Sequence, residues 1–234
     1  MPPRPDFLLA YRSLLLLAAV VLASCGGIKV APTATLPRAL IQKLPLKAGV
    51  VVAQDMLDYK HQETRGGVAW EVSLGPGHQK FAMDTLGAAF ASTQQFRTLE
   101  EAKAAKDLAV IIEPRIEQYS FATARDTGSN YYAATIQYRI HVYNPAGERV
   151  DSYTLTGYGN SIVGGAMSGT SEPMIAATGN AMRDAAAKFM VQFPEQKLAQ
   201  QLRKGEPLLA QAAGGNAVDA LAFIAAVPIK DQTY

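Results

Sequence analysis

The 234-residue chain contains one cysteine. No intramolecular disulfide can form, and a metal cage built on several thiolates is excluded. Histidine is nearly as scarce: His61, His78 and His141 are the only three, far apart in sequence. They read as unrelated surface side chains rather than a metal site. Charge of one sign is not in excess, with 22 basic against 20 acidic residues. That balance offers no argument for nucleic acid or for a strongly acidic partner. No apolar run reaches the ~20 residues of a bilayer-spanning helix. What is present is a 49% hydrophobic, 18% charged composition. It can build a core, so general disorder is excluded, and the length suits one domain with appendages.

The N-terminus carries the sharpest signal. Arg4 and Arg12 form a basic region, Ser13 to Leu22 an apolar run of ten residues, and Leu22-Ala23-Ser24 precede Cys25. A ten-residue core with small residues after it fits a signal peptide over 1–24. The Leu-Ala-Ser-Cys sequence resembles the lipobox of bacterial lipoproteins. In that family the cysteine is acylated and becomes the new N-terminus, so the resemblance implies a lipid anchor on Cys25. Two or more acyl chains make such an anchor stable. Gly26 rather than an aspartate follows the cysteine, which by the same resemblance favours the outer membrane, with the domain in the periplasm. Removal of 1–24 leaves 20 basic and 19 acidic residues, a net charge of +1.

Residues 26–47, with three prolines and two glycines, predict a tether. Ala48 to Ala53 (AGVVVA) predicts a buried strand, 54–68 a polar loop or irregular excursion and Trp70 to Leu74 a short strand. A helix is expected from Pro76 to Gln95, on the spacing of Phe81, Met83, Leu86 and Phe90, and a short one over Glu100 to Lys106. Leu108 to Ile112 predicts a strand. Pro114 marks an edge or a bulge before the strand resumes over Ile116 to Ala122. Alternation of Ile136, Tyr138, Ile140 and Val142 with Gln137, Arg139 and His141 predicts a half-buried strand. With the Asn144–Gly147 turn, Tyr131 to Tyr143 should pair with Arg149 to Tyr158 as a hairpin. Five glycines in 157–170 predict a mobile or partner-ordered loop. A helix follows from Glu172-Pro173 to Pro194 on an alanine stripe, then a polar helix over Glu195 to Lys204. Ala217 to Ala226 is expected as a last helix.

No catalytic motif is found. The glycine-rich stretch lacks the GxxxxGK[ST] pattern, since no lysine occurs between Lys106 and Lys188. No serine sits in a G-x-S-x-G elbow. Glu113 and Glu117 lie close in sequence, but exposed charge on a strand is the commoner cause of such spacing. Seven of the ten tyrosines fall between Tyr119 and Tyr158. Aromatics favour strands, yet Tyr131, Tyr132 and Tyr158 flank loops, where anchors of a protein interface often sit. These three are the candidate partner-binding residues, and no cofactor is expected.

The order of elements predicts an α+β domain: a mixed or mainly antiparallel sheet with helices packed on one face, plus a short helical C-terminal tail. The expected division is signal peptide 1–24, lipidated cysteine and tether 25–47, periplasmic domain 48–194 and tail 195–234. From about residue 46 to 194 the pattern AGVVVA, the helix ending at Phe90, DLAVIIEPRI, the hairpin and NAMRDAAAKFM resembles a small domain of envelope lipoproteins. Examples are the N-terminal TolB-like domain, the curli-secretion lipoprotein and activators of penicillin-binding proteins. The resemblance implies a non-enzymatic protein that binds envelope partners and possesses the means to form a homo-oligomer. The alternative it implies is a ring-forming export component.

Overall fold

The computed structural model describes residues 27–36, 42–163 and 171–209. The chain adopts the expected α+β class. A mixed five-stranded sheet has the order β5-β2-β6-β7-β8, and a smaller sheet the order β1-β4-β3. The strands are β1 (Ile28–Val30), β2 (Leu44–Val51), β3 (Lys60–Arg65), β4 (Val68–Ser73), β5 (Phe90–Phe96), β6 (Val110–Ala122), β7 (Tyr131–Tyr143) and β8 (Arg149–Ile162). The helices are α1 (Gln54–Leu57), α2 (Gly75–Ala89), α3 (Leu99–Ala104), α4 (Ala124–Thr127), α5 (Ser171–Gln192) and α6 (Lys197–Lys204).

β2 runs parallel to both neighbours, while β6, β7 and β8 form an antiparallel meander. The core lies between this sheet and α2 and α5. Val50, Ile112, Ile136, Tyr138 and Ile140 meet Phe81, Leu86, Met174, Ala181 and Phe189 there. Phe81 stacks on Tyr138 with ring centroids 4.1 Å apart. Strand alternation sends Val51 and Ile111 to the opposite face, where Phe96, Ala102 and Leu108 bury them beside α3. That helix starts at Thr98, whose hydroxyl accepts from the Glu101 amide, a good N-cap. Among the described residues no other helix packs across the rest of the opposite face.

The expected tether is partly built into the fold. β1 joins the small sheet with Ile28 opposite Trp70, Val30 and Ala34 are buried, and β2 begins at Leu44 rather than Ala48. Proline and glycine content misled here, because parallel pairing to β4 fixes this segment. Residues 54–68 are likewise not a loop. They hold α1 and the β3–β4 hairpin, whose two-residue turn is Gly66-Gly67, both at positive φ as a primed hairpin turn requires. β3 was illegible because all six of its residues, KHQETR, are polar. Helix α2 ends at Ala89, not Gln95, and the chain continues as β5. The aromatic at Phe90, in phase with the helix, serves instead as the first residue of a strand beside Leu44.

β6 runs unbroken through Pro114, which lies beyond the residues paired to β2, so on that side the strand is an edge. The register slips between Ile116 and Gln118, with Glu117 the extra residue. β8 extends to Ile162, so Gly157 to Ile162 are paired strand rather than loop. Residues 164–170 of that expected loop, Cys25 and Ala217–Ala226 lie outside the described residues. Helix α6 does not sit apart as a tail: Leu198, Ala199 and Leu202 join the main core.

Candidate functional site

The two glycines that open the 157–170 stretch are there for closeness. A Cβ on Gly157 would sit 2.0 Å from the Ala181 carbonyl oxygen, and one on Gly159 2.1 Å from that of Ala177. Helix α5 therefore lies directly on β8, and the alanine stripe is the matching half of that contact. Three polar residues of α5 at four-residue spacing reach the outer backbone of β8. Asn180 donates to the Asn160 carbonyl (2.8 Å), Asp184 accepts from the Tyr158 amide (2.9 Å), and Lys188 donates to the Thr156 carbonyl (2.9 Å). The match follows from repeats: four residues of helix rise about 6 Å and two residues of strand about 6.8 Å. One edge of the large sheet is thereby closed to strand addition. At the other edge, β5 pairs with β2 alone.

Among the described residues no helix packs across most of the outer face of β6, β7 and β8, and that face is polar. Glu113 and Arg115 of β6, Arg139 and His141 of β7, and Ser152 of β8 share it by register. Arg115 donates to Glu113 (3.0 Å) and is paired with Asp55. Arg139 meets Glu117 at 3.3 Å. The Tyr143 hydroxyl donates to Glu113 (3.0 Å); burial and the same carboxylate push its pKa up to about 12. His141 lies 3.2 Å from the Ser152 hydroxyl. Burial lowers its pKa, and Arg149, Arg115 and Arg139 add to this against the pull of Glu113. Arg115, Glu117, Arg139, His141, Arg149 and Ser152 line a shallow depression of about 420 Å³. Glu113 and Glu117 are each held by a different arginine, so the fold does not bring them together as an acid–base pair. The lattice of opposite charges holds the strands and leaves a flat hydrogen-bonding surface.

The three candidate tyrosines part company. Tyr132 is buried in the core against Trp70, with ring centroids 6.1 Å apart. It is not a surface anchor, because the period of two along β7 puts it in phase with Ile136 and Tyr138. Tyr131 and Tyr158 are exposed, the second at 61%. The Lys188 ammonium stands 4.7 Å over the Tyr158 ring.

The histidines occupy three environments. His61 lies 3.1 Å from Glu63 and packs edge-on to Tyr119, joining the two sheets. His78 is not a surface residue: it is fully buried on α2 near Tyr138, and neither ring nitrogen has a well-formed hydrogen bond. Burial lowers its pKa to about 4. Among the described residues no cluster of His, Cys, Asp and Glu could hold a metal ion, and no helix is long and apolar enough to cross a membrane. The edge clamp on α5 escaped the sequence reading. Its signal was the i, i+4, i+8 series Asn180, Asp184, Lys188, which looked like an ordinary wet helix face.

No family model matches the chain, and no curated protein matches it. A similar solved structure is that of a neuraminyllactose-binding hemagglutinin homolog from Helicobacter pylori. The identity is 8% and the TM-score 0.45, over 74% of this chain and 97% of that one. At this identity and score the likeness transfers neither activity nor ligand.

Proposed function

We propose that this chain is a non-enzymatic lipoprotein, anchored through Cys25 to the periplasmic side of the outer membrane, that binds protein partners in envelope assembly or maintenance. The lipobox Leu22-Ala23-Ser24-Cys25 supports the anchor. The observation that carries the binding role is the polar outer face of β6–β8, which no helix covers among the described residues. Its Arg115 and Arg139 are already matched to carboxylates, so a partner meets fixed polar groups around a shallow depression. Tyr131 and Tyr158 border this face as exposed aromatics.

Site-specific photo-crosslinking in the native envelope tests this. A photoreactive residue at Thr154, on the face, should capture a discrete partner, whereas one at the exposed Val191 of α5 should not. Equal capture at both sites, or none at Thr154, would remove the face as the binding surface. A second reading, a ring-forming export component, draws on the β5 edge. Among the described residues no other strand pairs with it. Light scattering in detergent separates the two readings: a mass of several protomers favours the ring, a monomer the first.

A further inference from the structure

The fold brings the start of the described chain to one end of the molecule, together with Val68, Tyr131, Ile162 and Val163, four of the seven large apolar side chains exposed among the described residues. Gly27 packs on Ala69: a Cβ there would lie 2.8 Å from the Ala69 carbonyl oxygen. The next residue, Val68, is 40% exposed and leads from the Gly66-Gly67 turn. The Gly66 carbonyl accepts from Arg125 of α4 (3.1 Å), and Thr127 of the same helix donates to the Tyr131 carbonyl (3.1 Å). Tyr131 pairs with Ile162, and the Val163 amide donates to the Asn130 carbonyl (2.7 Å). Tyr131, Ile162 and Val163 are 40%, 68% and 38% exposed. Of the remaining exposed large apolar residues, Val191 lies beyond Lys188 toward the opposite end, past the point where that lysine meets Thr156.

We propose that this end, formed by Val68, Tyr131, Ile162 and Val163 with Arg125 at its rim, rests on the lipid bilayer. The inference rests on the acylation of Cys25 proposed above. Only Gly26 stands between Cys25 and Gly27, so two residue steps hold the anchored cysteine within about 7 Å of the fold. A tether long enough to lift the domain clear is ruled out by the incorporation of residues 28–36 into the structure. The domain must then face the membrane with whatever surrounds Gly27. Lys29, Gln62, Glu63 and Glu71 flank Gly27 on the small sheet; beyond them this end offers the exposed apolar side chains, with a tyrosine whose amphipathic ring suits the headgroup boundary and a cation able to meet phosphate. Shallow burial of such a patch adds to the hold of the acyl chains and turns the polar face of β6–β8 to run away from the membrane.

The test uses vesicles of phosphatidylethanolamine and phosphatidylglycerol carrying a photoactivatable phospholipid. One sample is the mature chain purified from a bacterial envelope. A second is the chain from residue 25 with its Cys25 thiol coupled to a maleimide phospholipid. After irradiation, lipid adducts should concentrate on the tryptic peptides 126–139 and 150–183, at Tyr131 and Ile162–Val163. They should exceed those on peptide 189–197 by about tenfold. The pair Ile162→Glu and Val163→Glu should cut the adducts severalfold with the melting temperature unchanged. Even labelling of all three peptides, or labelling indifferent to that pair, overturns the docking surface. An unmodified Cys25 in the first sample, with concentrated labelling in the second, removes the natural anchor and leaves the surface standing.

Discussion

The two faces of the β7–β8 hairpin have the same backbone and opposite tolerances. On the inner face Ile136, Tyr138 and Ile140 alternate into a core roofed by α5, and Gly157 and Gly159 let helix backbone touch strand backbone. On the outer face Gln137, Arg139 and His141 meet, among the described residues, neighbouring strands and solvent. The inner face is specified by volume, the outer by charge pairing. Close-packed interiors respond to single methyl groups, whereas exposed ion pairs contribute little because water competes for both partners. The difference teaches where changes should unfold the protein and where they should alter only what it binds.

The sharpest way to break the contrast is at the helix–strand contact. Gly159→Val places atoms inside the α5 backbone and should cost about 4 kcal/mol or more, read by denaturant unfolding. A smaller loss would mean that α5 can ride away from β8. Tyr132→Ala should cost about 3 kcal/mol, as for a core aromatic, while leaving capture of a partner at the outer face unchanged.

The inner face should also set the response to acid. His78 is held neutral in the fold, with a pKa of about 4 against about 6.5 when unfolded. The unfolded chain therefore binds the extra proton first. The stability present above pH 6.5 should fall by up to about 3 kcal/mol as pH drops toward 4. A melting series for His78→Phe should show that slope removed; an unchanged slope would assign the acid sensitivity elsewhere.

Outer-face changes should be mild. Arg139→Ala should cost less than about 1 kcal/mol, since both it and Glu117 are substantially exposed. Tyr158→Ala should cost about 0.5 kcal/mol or less in thermal melting, the scale of an exposed ring under an ammonium, while weakening partner binding by about 1–2 kcal/mol if the ring is an anchor. An early-melting Tyr158→Ala protein with normal binding would place that ring with the core instead.

Much of the hairpin was legible in the residues. The alternation from Ile136 to Val142 and the Asn144–Gly147 turn act locally, and the register follows from them. The candidate tyrosines were only half legible. Flanking position marked all three, but the period of two that runs unbroken from Ile136 and Tyr138 back to Tyr132 places that ring on the buried face. β5 was hidden because FASTQQF gains its strand conformation from β2 beside it, not from strong propensity of its own. The edge clamp was hidden because its three residues satisfy a backbone that is 20 to 32 residues away.

By itself the amino-acid sequence determined the α+β class and the hairpin β7–β8, because each depends on short-range pattern. Only the tertiary structure decided that Gly157 and Gly159 serve a helix–strand contact, that residues 28–36 belong to the fold rather than to a tether, and that Gly27 shares one end with Tyr131 and Ile162. Such facts depend on segments separated in sequence meeting in space. Residue type announces conformational freedom or apolarity, and packing selects which of its uses is realised.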